Sequence, residues 1–97
     1  MEKERFLKFS ETDRLGHIAS EVSRYRSFLG KGQGERSRSA ALRALELIDF
    51  ALEGLSDISL RELLERARKS MSCPDFSVED AESLEQALLA RKFSEIG

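Results

Sequence analysis

The sequence predicts an all-α protein that folds as an antiparallel four-helix bundle. Apolar residues recur at helical spacing in four separate segments, and no strand pattern is visible. The second segment, residues 40–52 (AALRALELIDFAL), has ten apolar residues in thirteen positions. Because a helix that is apolar on most sides needs neighbours on most sides, we expect this one to be central. Short connections between the segments favour antiparallel neighbours.

The N-terminal third is predicted to hold one short element and one long helix. Residues 1–11 carry Phe6, Leu7 and Phe9 among charges and are expected to be an arm or a short helix. The first long helix is predicted over residues 12–29, with His17 on its solvent-facing side. Arg26 falls on the apolar side, so we expect it to reach past the core edge or to pair with a carboxylate of the second helix.

A Gly-rich basic loop is predicted over residues 30–38, because three glycines in five positions interrupt regular structure. The second helix should begin between residues 35 and 39 and end at Gly54, since glycine often follows the last turn of a helix. Its sequence leaves only a narrow polar stripe.

The third helix is predicted to begin with a capping box formed by Ser59 and Glu62. It should end before Pro74, because the residue ahead of a proline avoids the helical region. The fourth helix is predicted to begin near Ser77, with Asp80 at the third helical position. Acidic residues crowd its first turn and basic residues its last, which complements the helix dipole.

Length and composition indicate one domain, residues 1–97, of an ordinary globular kind. The net charge of −2 provides no global field for DNA or an anionic membrane. No segment has the run of apolar residues that a membrane span or a secretory signal needs. Cys73 is the only cysteine, which fits a reducing compartment. We therefore expect a cytoplasmic protein.

Charge is distributed unevenly along the chain. Residues 24–43 hold six basic residues and one acidic residue, whereas residues 44–65 hold six acidic and one basic. Basic side chains near a glycine-rich loop and a helix N-terminus could bind phosphate or RNA. The alternative is a solvated loop whose charges balance the acidic helices, and few aromatic residues are present for base stacking. The candidate anion or nucleic-acid site consists of Arg24, Lys31, Arg36 and Arg38.

No residue pattern predicts catalysis, a metal or a cofactor. His17 is the only histidine and lacks an obvious partner beyond Glu21. Three carboxylates of the second helix, Glu46, Asp49 and Glu53, lie close together, but a carboxylate site in a bundle would draw Glu-x-x-His pairs from several helices. We interpret them as a solvated stripe and expect no enzymatic activity.

The apolar face of the second helix is wider than a small bundle requires. Leu47, Phe50 and Ala51 lie away from the side that holds Leu42 and Leu45. If the chain does not enclose them, a second copy or a partner must do so. These three residues are the candidate partner-binding surface, and a homodimer or a complex with another protein is expected.

Three segments carry a resemblance, namely GHIASEVSRYRSFL (residues 16–29), RALELIDFAL (residues 43–52) and LRELLERAR (residues 60–68). They look like those of small uncharacterised bacterial all-helical proteins, and the resemblance implies no function. The HEPN class of helical nucleases and nucleotidyltransferase partners is a similar small bundle. Its nucleases carry an Arg and a His separated by four to six residues, whereas only two separate Arg14 from His17 here. This comparison disfavours nuclease activity.

The function that these patterns favour is a non-catalytic helical protein-interaction module, either self-associating or the small subunit of a complex. The alternative is an RNA- or phosphate-binding module that uses the basic loop, of which residues 31–38 carry the charge. RNA is the less favoured partner, because aromatic residues that could stack on bases are nearly absent from the loop.

Overall fold

A computed structural model describes residues 2–96, and all regular structure in this range is helical. The all-α prediction is confirmed, but the described chain has five helices where the sequence predicts four, because the N-terminal arm is itself a helix. The helices are α1 (Lys3–Leu7), α2 (Glu11–Gly30), α3 (Gly34–Leu52), α4 (Ile58–Met71) and α5 (Val78–Ile96).

The turn between α2 and α3 is much shorter than the predicted loop. Only residues 31–33 lie outside the helices, and Gly32 takes the left-handed backbone conformation, with φ of 74°, that closes the turn. Arg36 and Arg38 are therefore part of α3. The helix starts early because Ser37 and Ala40 already pack into the interior, so burial there outweighs the polar composition. Gly54, with φ of 73°, follows the end of α3 as predicted.

The predicted N-terminal cap is wrong for α4 and is confirmed for α5. Asp57 caps α4, because its carboxylate accepts a 3.1 Å hydrogen bond from the amide of Leu60. The predicted cap Ser59 lies two residues further on, inside the first turn, where its hydroxyl accepts a hydrogen bond from Arg91. At α5 the prediction is confirmed, since Ser77 and Asp80 exchange two side-chain-to-backbone hydrogen bonds of 3.1 Å.

The α2 and α3 helices run antiparallel. Glu21 of α2 pairs with Arg43 of α3, and further along α2 Phe28 lies beneath Arg36, earlier in α3. The α2 helix also packs along α5, while α3 packs against α1, α2 and α4. The radius of gyration is 12.7 Å, close to the ~13 Å expected for a compact chain of this length.

The core lies between these helices, and Ile48 of α3 is fully buried in it. The same cluster draws side chains from α1, α2, α4, α5 and the segment before α5. Its fully buried large members include Phe6, Leu15, Ile18, Val22, Leu64 and Leu88. Among residues 2–96, no helix combines the length and hydropathy that crossing a bilayer requires.

Candidate functional site

The four basic residues of the predicted anion site do not converge on one point. Arg24 forms an ion pair with Glu21, and the guanidinium of Arg36 lies 5.9 Å from the centre of the Phe28 ring. Arg38 follows Arg36 by two helical positions, so the two side chains leave α3 in directions about 200° apart. Lys31 is exposed in the turn. The structure thus does not bring these four residues together at one site.

The most buried charge in the described chain is the Glu21 carboxylate, which lies between α2 and α3. Its side chain is only 7% exposed, and it accepts hydrogen bonds from Arg24 and, at 2.6 Å, from Nε of Arg43. Both arginines are about half exposed, so their remaining N–H groups reach solvent. This arrangement satisfies a buried charge and links two helices.

A recess of about 420 to 520 Å³ on each side of Arg43 accompanies this ion-pair cluster. The lining contains three arginines and three glutamates, which are Arg24, Arg36, Arg43, Glu21, Glu35 and Glu46. Because the local charges balance, the surface offers no strong field to a polyanion. This balance of basic and acidic side chains could not be predicted from the sequence, because it depends on α2 and α3 lying side by side.

His17 differs from its predicted position on the solvent-facing side of α2. It is half buried, since its ring lies 4.5 Å from that of Phe9 and 6.4 Å from that of Phe6, measured between ring centres. The N-terminal segment therefore covers the histidine. Its role is to pack beneath α1 and the residues that follow α1.

The predicted partner surface of α3 is covered by the chain itself. Leu47 and Ala51 are buried, and Phe50 is half buried with its ring 6.2 Å from that of Phe6. Phe6 anchors α1 there, with 0% of its surface exposed. A partner could reach this face only if α1 moved away.

Arg26 and the carboxylates of the predicted α3 stripe also have partners within the chain. Arg26 pairs with Glu85 of α5 at 2.9 Å, whereas a carboxylate of α3 was one of the alternatives that the sequence left open. Within the supposed stripe of α3, Asp49 pairs with Arg68 and Glu53 with Lys3. Among the described residues, no three His, Cys, Asp or Glu side chains are placed so that they could hold a metal ion.

The surface that sequence reasoning missed is an open groove between α4 and α5. Its cavity measures about 420 Å³, and half-buried Leu63 and Leu84 face it from the two helices. Five of the eleven lining residues are Ala, Ser or Cys. The lining of this α4–α5 groove is Leu63, Arg66, Ala67 and Ser70 of α4, Cys73, Asp75 and Phe76 of the connecting segment, and Asp80, Ser83, Leu84 and Ala87 of α5.

One end of the α4–α5 groove is fixed by Tyr25 of α2. The Tyr25 hydroxyl donates a 2.7 Å hydrogen bond to the carbonyl oxygen of Phe76, and the two ring centres are 5.2 Å apart. Burial, followed by the negative charge of Asp80, raises the pKa of the Tyr25 phenol. Cys73, an exposed free thiol, lies at the same end.

The opposite end of the α4–α5 groove is tied by Arg91 of α5. Its guanidinium donates to Asp57 at 2.7 Å and to the Ser59 hydroxyl at 2.6 Å. The hydrogen bond from the Leu60 amide, with smaller contributions from Arg91, lowers the pKa of Asp57. Together the two tied ends hold α4 and α5 on either side of an open space.

Comparison with family models, with curated proteins and with solved structures finds no match for this chain. The inferences that follow therefore stand on the geometry described above.

Proposed function

We propose that the protein is a non-catalytic helical interaction module that associates with a second copy of itself through the α4–α5 groove. The observation that supports this proposal is the groove itself, which lies between two helices of the same chain and has apolar side chains in its lining. Leu63 and Leu84 are only partly buried there although they belong to the apolar faces of their helices. A second surface that covers them would remove apolar area from water. We infer in addition that α2 to α5 form one antiparallel four-helix bundle, with α1 packed against α3.

The walls of the α4–α5 groove suit another helix. Ala67 and Ser70 on one side, and Ser83 and Ala87 on the other, have short side chains. Because these side chains are short, the axis of a helix from outside can come within 8–10 Å of α4 and α5, which is the usual distance between packed helices. The occupant we propose is therefore helical.

Charge supports a second copy as the occupant. The α4 side of the groove carries Arg66, and the α5 side carries Asp80 near its N-terminus. A two-fold interface uses one patch on both partners, so the patch must complement itself. A patch with one basic wall and one acidic wall meets that requirement.

Light scattering coupled to size exclusion tests the proposal. The wild-type chain should show the mass of a dimer that dissociates on dilution. Ala87→Arg places a long charged side chain in the α4–α5 groove and should give a monomer with unchanged helical circular dichroism. Ser27→Arg, at an exposed serine of α2, is the matched control and should remain dimeric. A wild-type monomer at all concentrations, or an Ala87→Arg variant that dimerises normally, would contradict the proposal.

RNA or phosphate binding through residues 31–38 is the second candidate. Lys31 and Arg38 support it, because both are exposed and form no ion pair within the described residues. It ranks lower because the α2–α3 surface beside them is balanced in charge. Salt-dependent RNA binding that is lost in a Lys31→Ala/Arg38→Ala variant would favour this candidate.

A further inference from the structure

The α4–α5 groove has a defined register. Asp57, the cap of α4, is paired with Arg91 of α5 at 2.7 Å. Residues later in α4 and earlier in α5 line the same groove, so the two helices run in opposite directions. Lys69 lies twelve residues after Asp57, and Glu79 lies twelve residues before Arg91. Since helices rise by the same amount per residue, Lys69 of α4 and Glu79 of α5 stand at the same height on the two helices, next to the lining residues Ser70 and Asp80 in the sequence.

Lys69 and Glu79 are both exposed, and neither forms an ion pair within residues 2–96. Arg66 lies one turn below Lys69, and Asp80 follows Glu79. One rim of the groove is therefore basic and the other acidic over the same stretch. The chain leaves both rims free to meet complementary charges from outside.

We propose that two copies associate about a two-fold axis that runs along the α4–α5 groove, parallel to its helices, so that α4 of each copy packs against α5 of the other. This inference rests on the proposed self-association. Rotation about such an axis keeps every residue at its height and exchanges the two sides of the groove. Lys69 of each copy then faces Glu79 of the second copy, and the contact occurs twice.

A two-fold axis perpendicular to the helices would instead reverse the direction of the second copy and set α4 against α4 and α5 against α5. Lys69 and Glu79 would then not face each other, so their charges distinguish the two axes.

Charge reversal tests the orientation in the full-length chain. Lys69→Glu and Glu79→Lys should each weaken dimerisation by at least about tenfold, since each puts two like-charge contacts into the interface. The double variant Lys69→Glu/Glu79→Lys restores both contacts and should return to within about threefold of the wild-type dissociation constant. Sedimentation equilibrium at low and high salt provides the constants, and thermal unfolding reports whether each variant remains folded.

Cysteine cross-linking between differently labelled copies provides a second measurement. In a Cys73→Ser background, a Lys69→Cys copy mixed with a Glu79→Cys copy should form an intermolecular disulfide. A Lys69→Cys copy mixed with an Ala90→Cys copy should not, because Ala90 lies toward the other end of α5. Placing the two cysteines in separate copies avoids an intrachain bridge across the groove.

The outcomes separate the two proposals. A monomeric wild-type chain overturns both the self-association and its geometry. If the wild-type chain is a dimer, three results would overturn the orientation alone. They are a dissociation constant that neither charge reversal changes, a double variant that does not regain the wild-type constant, and a disulfide between positions 69 and 90.

Discussion

Tyr25 and Phe76, fifty-one residues apart, are joined by a 2.7 Å hydrogen bond from the tyrosine hydroxyl to the phenylalanine carbonyl oxygen. Their rings also pack, with 5.2 Å between centres. The contact fixes the segment between α4 and α5 to the C-terminal part of α2. It therefore defines one end of the α4–α5 groove.

Tyr25→Phe removes the hydroxyl and keeps the ring. We expect the free energy of unfolding to fall by about 0.5–1.5 kcal/mol, the usual net contribution of such a bond. Urea unfolding followed by circular dichroism measures it. An unchanged midpoint would mean that the Phe76 carbonyl is equally well satisfied by water.

The same tyrosine predicts a loss of stability in alkali. Its pKa is raised above the ordinary value of 10.0, so the unfolded chain releases the phenolic proton first. The stabilisation is complete below pH 10.0 and is lost as the pH rises through the folded pKa. Tyrosinate absorbance reports this group cleanly, because the chain has one tyrosine and no tryptophan. Tyr25→Phe is the control for lysine titration, and its stability should fall less steeply over this pH range.

Phe6→Ala tests whether α1 is part of the core. Phe6 is fully buried, so its truncation should cost about 3–5 kcal/mol, a large share of the stability of a small protein. Phe93→Ala is the matched control, since that side chain is 61% exposed and should change stability by less than about 0.5 kcal/mol. Equal effects of the two substitutions in thermal unfolding would contradict the docking of α1.

Asp57 predicts a loss of stability in acid. Its pKa lies below the ordinary 3.8, chiefly because the charged carboxylate accepts a hydrogen bond from the Leu60 amide. A lowered pKa contributes stability above the unfolded value, and this contribution disappears as the pH falls through the folded value. Asp57→Asn keeps a capping oxygen but has no charge to titrate. The difference in Tm between wild type and variant should therefore shrink from about pH 6 to about pH 2.

Glu21→Gln tests the ion-pair cluster between α2 and α3. Loss of the charge leaves Arg24 and Arg43 without their carboxylate, but both arginines remain hydrated because they are half exposed. We expect a loss of about 1–3 kcal/mol. Glu46→Gln, an exposed glutamate lining the same recess, should stay within about 0.5 kcal/mol of wild type. Similar values for the two variants in urea unfolding would show that burial of Glu21 has no energetic consequence.

Local sequence signals predicted the helices well. Gly54 ends α3 and the Ser77–Asp80 pair begins α5 because both signals act within a few residues. The start of α4 was wrong by two residues, since Asp57 and Ser59 are both good caps and local chemistry does not rank them. The contact with Arg91, thirty-two residues away, engages Ser59 instead.

The partners of individual side chains could not be predicted in the same way. Arg26 was placed correctly on the inner side of its helix, but the sequence does not say which helix lies beside it, and Glu85 is its partner. The covering of Phe50 by Phe6 of α1 likewise depends on where a five-residue helix docks. The open space between α4 and α5 has no signature in either helix alone.

The sequence by itself determined the helical class and most helix boundaries, because apolar periodicity and capping are local properties of the chain. The tertiary structure alone decided that α1 closes the apolar face of α3, that the charges beside Glu21 cancel, and that the α4–α5 groove stays open. Those features depend on which surfaces meet across long separations in sequence, and such contacts follow from the packing of the whole chain and not from any one segment.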